Sequence, residues 1–218
     1  AAEAGYAALL AYRRHEESLE GEARAGWHER SLDSALRFAA TFPAHPETGA
    51  VLTTVAEDLF GQGRYEEAIA VAGDVVAKMP PVDPALEQTA WRVIAHARFD
   101  LGRYAEAESA YLELRARTDP EDADMLAEIR RRIASSIYKQ GEIARDAGES
   151  EAAVGHFLRV AAVVPAAEIR ETAEYDAAAV LIAMQAWDRA AGVLENFRRD
   201  YPDSERSDEV TRRLAVVY

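Results

Sequence analysis

One six-residue phrase recurs four times along this chain and keeps its distance from other landmarks each time. The copies occupy residues 63–68, 102–107, 148–153 and 185–190, and each ends in alanine. A small residue lies seven positions before each copy, and a proline follows the final alanine by twelve or thirteen positions. This repeated register indicates that one supersecondary unit is used several times, with neighbouring units stacked to bury their apolar faces.

The segments between the breaks have the composition and spacing of helices. They are rich in Ala, Leu, Glu and Arg, which favour helix. Apolar residues recur at helical spacing, as in Leu52, Val55, Ala56 and Leu59, and glycine or proline interrupts the pattern at regular places. The chain is therefore predicted to be all-α, with about eleven helices, and the short loops require consecutive helices to be antiparallel.

The repeated unit resembles the tetratricopeptide repeat (TPR), and the third unit carries the clearest match. The matching positions are Trp91, Ile94, Ala95, Tyr104, Ala107, Tyr111, Leu114 and Pro120. The resemblance implies a right-handed α-solenoid of antiparallel helix pairs. In such a stack, small residues let the two helices of a pair approach closely, and large side chains such as Trp91, Tyr111 and Phe157 fill the space between pairs.

The predicted organisation is a single TPR-like superhelical domain over residues 1–218. Its units are placed at residues 3–43, 46–80, 83–120, 121–165 and 166–202, with a terminal helix over residues 204–218. The spacing between turns is largest from Gly102 to Gly148. The segment 121–147 is therefore predicted to form one long helix.

The resemblance also nominates a partner-binding groove, because the first helix of each pair lines the concave face in TPR proteins. The inward positions, matched residue by residue, are Thr53, Glu57, Phe60, Arg92, His96, Phe99, Tyr138, Glu142, Arg145, Tyr175 and Ile182. Aromatic residues mixed with arginine are typical of protein-binding surfaces. For Phe60, Phe99 and Ile182, packing against the next unit explains the residue equally well.

One TPR subclass grips a C-terminal carboxylate with Lys, Asn, Lys and Arg at set groove positions. Of the equivalent positions here only Arg92 fits, since the others include Thr53, Glu57, Tyr138 and Glu142. The groove is therefore predicted to receive a peptide or helix of a partner protein through mixed aromatic and charged contacts.

The net charge of −14 argues against polyanionic partners. Binding to nucleic acid depends on clustered Lys and Arg that release counterions, and the one compact basic run, Arg130 to Arg132, is predicted to be a solvated helix face. No apolar stretch reaches the roughly 18 residues of a membrane-spanning helix, so direct membrane insertion of this segment is not expected. The predicted partner is a protein or peptide, and the oligomeric state stays open.

No catalytic residue, cofactor or metal ligand is predicted, and the chain is interpreted as a noncatalytic scaffold. It contains no cysteine and none of the common hydrolase, phosphate-loop or dinucleotide-binding motifs. Asp119, Asp122 and Asp124 lack the glycine and distal glutamate of a calcium loop, so they are expected to stabilise a helix N-terminus. Two alternatives stay open: a regulatory or substrate-recruiting region of a larger enzyme or secretion machine, and an α-helical hydrolase with an unrecognised carboxylate site.

Two units end in a shared phrase that bears on cellular location. The matching residues are Phe38, Phe42 and Pro43 in one unit and Phe197, Tyr201 and Pro202 in the other. This ending resembles the units of bacterial envelope TPR proteins of the BamD and CpoB type. The resemblance implies a periplasmic or outer-membrane-associated protein, with a cytoplasmic location as the alternative. Because residue 1 is Ala, we expect a processed product or an excised segment.

Overall fold

The computed structural model describes residues 1–218 and contains eleven α-helices and no β-strand. The helices are α1 (Ala2–Glu17), α2 (Gly21–Thr41), α3 (Thr48–Gly61), α4 (Tyr65–Val76), α5 (Pro84–Asp100), α6 (Tyr104–Ala116), α7 (Ala123–Asp146), α8 (Ser150–Val163), α9 (Arg170–Ala183), α10 (Trp187–Asp200) and α11 (Ser207–Val217). The predicted all-α fold of antiparallel helix pairs is confirmed. Helix α7 is the long helix expected over residues 121–147, while the unit boundaries and the superhelical path of the whole chain stay predictions.

The chain divides into two compact units, residues 1–102 and residues 103–218. In the first unit, helices α1 to α5 pack against their neighbours in chain order, and α3 also packs directly against α5. In the second unit, helices α6 to α11 pack in the same way, with a further contact between α7 and α9. Since α3 and α5, like α7 and α9, are the first helices of successive predicted pairs, consecutive pairs are stacked within each unit.

Each repeated phrase begins with a residue in the left-handed conformation, which ends the preceding helix. These residues are Gly63, Gly102, Gly148 and Gln185, with φ between 58° and 78°. After Gly63, Gly148 and Gln185, the next amide donates to the carbonyl five residues earlier at 2.8–2.9 Å. The turn therefore satisfies carbonyl groups that the helix end leaves open. Glycine adopts this conformation without a steric penalty, whereas Gln185 is strained there.

Gly141 shows why the position seven residues before a turn is small. A Cβ atom on Gly141 would lie 2.6 Å from two ring carbons of Phe157, well inside van der Waals contact. The Phe157 side chain is fully buried, as are the equivalent small residues Ala56 and Ala178. Helices α7 and α8 can approach this closely only because Gly141 has no side chain.

The largest fully buried side chains of the second unit are aromatic. Tyr111, Phe157 and Phe197 are each at most 1% exposed. Phe197 lies in a cluster of residues from α9, α10 and α11 that includes Leu194. Trp91, in the first unit, differs from the expectation because its side chain is only partly buried.

Candidate partner-binding surface

In the second unit, α7 and α9 bring several predicted groove residues onto one face. The Tyr138 hydroxyl on α7 donates to Asp176 Oδ2 on α9 at 2.6 Å. A hydrogen bond to Asp146 raises the pKa of Arg145, and the nearby charges of Asp176 and Glu142 raise that pKa further. The hydrogen bond to Asp176 places Tyr138 beside α9, and Glu142 and Arg145 lie four and seven residues further along α7, on the same side of that helix. We call Tyr138, Glu142, Arg145, Tyr175 and Asp176 the inner face of the second unit.

Tyr138 is held in place from both sides. Its ring centroid lies 5.3 Å from that of the buried Phe157, and its hydroxyl is bonded to Asp176. The pKa of Tyr138 is raised first by burial and then by the hydrogen bond to the Asp176 carboxylate. A tyrosine fixed in this way loses little side-chain entropy when a partner binds.

The α9 residues Tyr175 and Ile182 take part in packing as well as in the surface. Both lie partly buried against the cluster that contains Leu194 and Phe197. The guanidinium carbons of Arg206 and Arg213 lie 4.9 and 4.6 Å from the Tyr175 ring centroid. Contact with Arg206 and Arg213 therefore occupies part of Tyr175. The position of Ile182 against the cluster agrees with the packing role that the sequence allows for it.

In the first unit, the predicted groove residues of α3 and α5 also meet each other. Arg92 Nη2 donates to Glu57 Oε1 at 3.0 Å. The Phe60 ring centroid lies 6.1 Å from that of His96 and 5.5 Å from that of Tyr65. The predicted positions thus form one contiguous face across two stacked helices. We call Glu57, Phe60, Arg92 and His96 the inner face of the first unit.

Thr53 and Phe99 are less available than the other nominated residues. Thr53 is 3% exposed, and its hydroxyl donates to the Gly49 carbonyl at 2.9 Å. Phe99 is partly buried at the end of α5. Thr53 therefore offers no contact to a partner, and its polar group is satisfied inside its own helix.

Sequence reasoning missed the residues that connect successive helices. Asp176 follows the nominated Tyr175 directly, yet it is the acceptor for Tyr138. Glu108 is 9% exposed and accepts hydrogen bonds from Gln140 Nε2 at 2.8 Å and Arg159 Nη2 at 2.7 Å. No local motif identifies these pairs, because the partners lie more than 30 residues apart in the chain.

A charged cleft of about 380 Å³ lies among α1, α2 and α3 and was not predicted. Its walls include Arg13, Glu16, His28 and Asp58. His28 Nδ1 lies 2.7 Å from Glu16 Oε1, and burial raises the pKa of Asp58. Because acidic and basic groups both line it, the cleft has no strong preference for ligand charge.

The aspartates near the start of α7 are engaged with the backbone. Asp119 Oδ1 accepts from the Glu121 amide at 2.9 Å, and Asp122 Oδ1 accepts from the Met125 amide at 3.0 Å. No group of three or more His, Asp or Glu side chains in the structure is arranged to hold a metal ion. None of the helices has both the length and the apolar character needed to cross a bilayer.

Replacing Tyr138 with Phe is expected to lower the free energy of unfolding by about 1–2 kcal/mol at pH 7, because a partly buried hydrogen bond to a charged group is lost. An unfolded tyrosine titrates near pH 10, and the folded pKa of Tyr138 is higher. This contribution is therefore complete below about pH 10 and is lost as the pH rises through the folded pKa. Urea unfolding at pH 7 and pH 10.5 should show the gap between wild type and variant shrinking; a gap that does not change with pH would contradict this reading.

Comparison with known proteins identifies one repeat by family. The tetratricopeptide repeat family model matches residues 172–204, which include most of α9 and all of α10. The predicted TPR is thus confirmed for this segment. No curated protein matches the chain, and the likeness to envelope proteins of the BamD and CpoB type stays a prediction.

Three solved structures are similar over most of the chain. BtubC from P. vanneervenii is 18% identical with a TM-score of 0.36, and the match covers 87% of this chain and 80% of BtubC. The TPR2AB domain of yeast Sti1, in a pHSP90 complex, is 11% identical with a TM-score of 0.38, covering 99% and 98%. The apo form of RapI is 12% identical with a TM-score of 0.38, covering 94% and 74%. Scores of this size assign neither a partner nor an activity.

Proposed function

We propose that this protein is a noncatalytic scaffold that binds a peptide or helix of a partner protein along its inner faces. The observation that carries the proposal is the pairing of Tyr138 with Asp176, which aligns the inner-face residues of α7 and α9. Partly exposed tyrosines near an arginine are typical of interface hot spots. The matching TPR at residues 172–204 supports the same kind of function.

The charges of the inner face of the second unit suggest how a partner is recognised. Glu142 Oε2 forms an ion pair with Lys139 Nζ at 2.7 Å, and Arg145 Nε lies 2.9 Å from Asp146 Oδ1. All of these groups remain at least partly exposed, so a partner can exchange these contacts for its own without stranding a buried charge. A partner segment with an apolar side chain flanked by both signs of charge fits this face.

The inner face of the first unit supports the same reading on its own. Glu57 and Arg92 form an ion pair whose side chains are 47% and 40% exposed. Exposed pairs of this kind contribute only about 0–1 kcal/mol to stability. Glu57 and Arg92 are therefore free to take part in binding with little effect on folding.

We further propose that the partner belongs to a bacterial cell envelope complex. The support is the shared F-x3-[YF]-P ending of two units, at Phe38 to Pro43 and Phe197 to Pro202. The net charge of −14 supports a protein rather than a nucleic acid partner.

The test is affinity capture on the immobilised chain, using envelope and cytosolic extracts of bacteria in parallel. We expect wild type and the Arg198→Glu variant to retain the same proteins from the envelope extract. With Arg145→Glu we expect the retained amount to fall at least about tenfold, which is the effect of losing one hot-spot residue. Arg198 is the matched control because it is an exposed arginine on α10 and receives the same charge reversal. Equal retention by the two variants would refute a role for the inner face, and retention only from cytosol would refute the envelope location.

A further inference from the structure

The direct packing of α3 on α5 has no counterpart between α1 and α3. Two clefts of about 380 and 70 Å³ lie where α1, α2 and α3 meet, and they share the wall residues Arg13, Ser31, Ala35 and Thr54. The volume of the larger cleft is within the range of about 300–1,000 Å³ that is typical of ligand pockets. No inner-face residue of the first unit lines either cleft. The two clefts are therefore separate from the surface that carries the proposed function.

Arg13 and Asp58 present opposite charges to the larger cleft without bonding to each other. Arg13 is exposed on α1, and Asp58 on α3 is partly buried. Neither side chain forms a hydrogen bond or an ion pair within the protein. Burial raises the pKa of Asp58, and the nearby charges of His28 and Arg13 oppose that rise. A cationic group in the cleft would therefore stabilise the charged form of this carboxylate.

The other charged residues of the larger cleft are paired or balanced. Glu16 Oε1 lies 2.7 Å from His28 Nδ1. Glu17 and Arg24 are exposed and opposite in sign. One guanidinium and one carboxylate remain without a partner. A ligand that is neutral overall but carries both charges therefore fits better than a cation or an anion.

The hydroxyl of Ser31 is a further group that a ligand can bind. Its Oγ atom is buried and has no hydrogen-bond partner, and Ser31 lies in the wall that the two clefts share. Buried polar atoms in proteins seldom lack a partner. A bound ligand with an N–H donor would supply the missing hydrogen bond.

The smaller cleft is mainly apolar. Its walls include Tyr6, Leu9, Leu10 and Val51, and Leu10 is 41% exposed, so the fold itself does not cover this wall. A single water needs about 10–15 Å³ by the same measure, so a hollow of this size has room for about five groups as large as water. A short aliphatic side chain matches both its volume and its apolar walls.

We propose that the joined clefts bind a free α-amino acid with a short aliphatic side chain. Its ammonium group donates to the Asp58 carboxylate and to Ser31 Oγ. Its carboxylate accepts two parallel hydrogen bonds from the planar guanidinium of Arg13, and its side chain enters the smaller cleft against Leu10. A free amino acid carries both charges on one carbon atom, whereas each end of a peptide carries only one of them.

The test is an NMR titration of the full chain with leucine, leucinamide and N-acetylleucine. Leucinamide lacks the carboxylate and N-acetylleucine lacks the ammonium group, while both keep the side chain. We expect leucine to shift the methyl signals of Leu10, Val51 and Thr54. Each derivative should bind at least about tenfold more weakly, because it loses one set of charge-assisted hydrogen bonds. Glycine should also bind at least about tenfold more weakly than leucine, since it leaves the apolar hollow empty.

Single variants separate the clefts from general electrostatic attraction. Arg13→Gln and Asp58→Asn are each expected to weaken leucine binding at least about tenfold. Arg14→Gln and Asp74→Asn make the same changes at exposed residues that line neither cleft, and each should change binding less than about twofold. All of these variants should keep the helical circular dichroism of wild type, because the side chains of Arg13 and Asp58 form no bond within the fold.

Each other outcome overturns the proposal. The clefts are not an amino-acid site if a large excess of leucine causes no shift, or if the variants and their controls weaken binding equally. Leucinamide binding as tightly as leucine would indicate a site for a peptide N-terminus, and the same result with N-acetylleucine would indicate a site for a C-terminus. Failure of the capture experiment with Arg145→Glu would leave this result unaffected, because Arg145 lines neither cleft.

Discussion

Replacing Phe197 with Ala is expected to lower the free energy of unfolding by about 3–5 kcal/mol. The Phe197 side chain is fully buried between α9, α10 and α11. Its ring centroid lies 4.8 Å from that of Tyr201 and 6.2 Å from that of Tyr175. Truncation removes these contacts and leaves a cavity whose walls belong to three helices, so the site cannot collapse easily around it.

Trp187→Ala is the matched control, because Trp187 is an aromatic residue of the same helix that is 40% exposed. Its loss should cost about 1 kcal/mol, the typical effect of a single substitution. Urea unfolding followed by circular dichroism at 222 nm measures both variants without relying on tryptophan fluorescence. Similar losses for the two variants would mean that Phe197 does not organise the packing of α9, α10 and α11.

Gly141→Ala is expected to destabilise the protein by up to about 2 kcal/mol, although alanine favours helix more than glycine. The new methyl group would lie 2.6 Å from ring carbons of Phe157, and overpacking of a filled core costs about 1–3 kcal/mol. The gain in helix propensity, about 1 kcal/mol, offsets only part of that cost. Phe157 is fully buried, so its ring has little room to move away.

Gly155→Ala on the adjacent helix α8 isolates the steric effect. A Cβ atom at Gly155 meets no atom within 4 Å, so this variant should be stabilised by about 1 kcal/mol. Both substitutions make the same chemical change within a helix, and the difference between them is therefore the cost of the contact with Phe157. If both variants were stabilised equally in urea unfolding, the close approach of α7 and α8 would be disproved.

The proposed binding surface and the packing of the stack share residues. Tyr175 contacts Arg213 of α11 and Arg206, which precedes that helix, and also belongs to the inner face of the second unit. Tyr138 packs on the buried Phe157 while its hydroxyl bonds to Asp176. Substitutions at these two tyrosines should therefore change stability and binding together. Arg145 is the cleaner probe of binding, because it is exposed and its hydrogen bond is to its chain neighbour Asp146.

Arg130 and Arg131 show how the surroundings of a residue decide its pairing. In the sequence they belong to a run of three arginines that is expected to be a solvated face. In the fold, Glu128 pairs with Arg131 and Arg132, and the loop from Val164 to Ile169 lies opposite. Which arginine stays unpaired depends on the neighbouring carboxylate and not on the run itself.

The sequence by itself determined the helices, their turns and the repeat. Gly63, Gly102 and Gly148 open copies of the repeated phrase, and Gly141 is one of the small residues seven positions before a copy. These features can be predicted from the sequence because helix periodicity and turns depend on residues close together in the chain. The sequence also placed Glu57 and Arg92 on a common face, because both occupy inward positions of the repeat in successive units.

Only the tertiary structure decided which of these residues are exposed and which are bound to each other. Thr53 is nominated by register but is buried, and Trp91 matches the motif but is only partly buried. The bond from Tyr138 to Asp176 and the unpaired state of Arg130 likewise follow from the distances between helices. The physical reason is that burial and pairing depend on side chains that are remote in sequence, whereas periodicity fixes only the direction in which a residue points from its own helix.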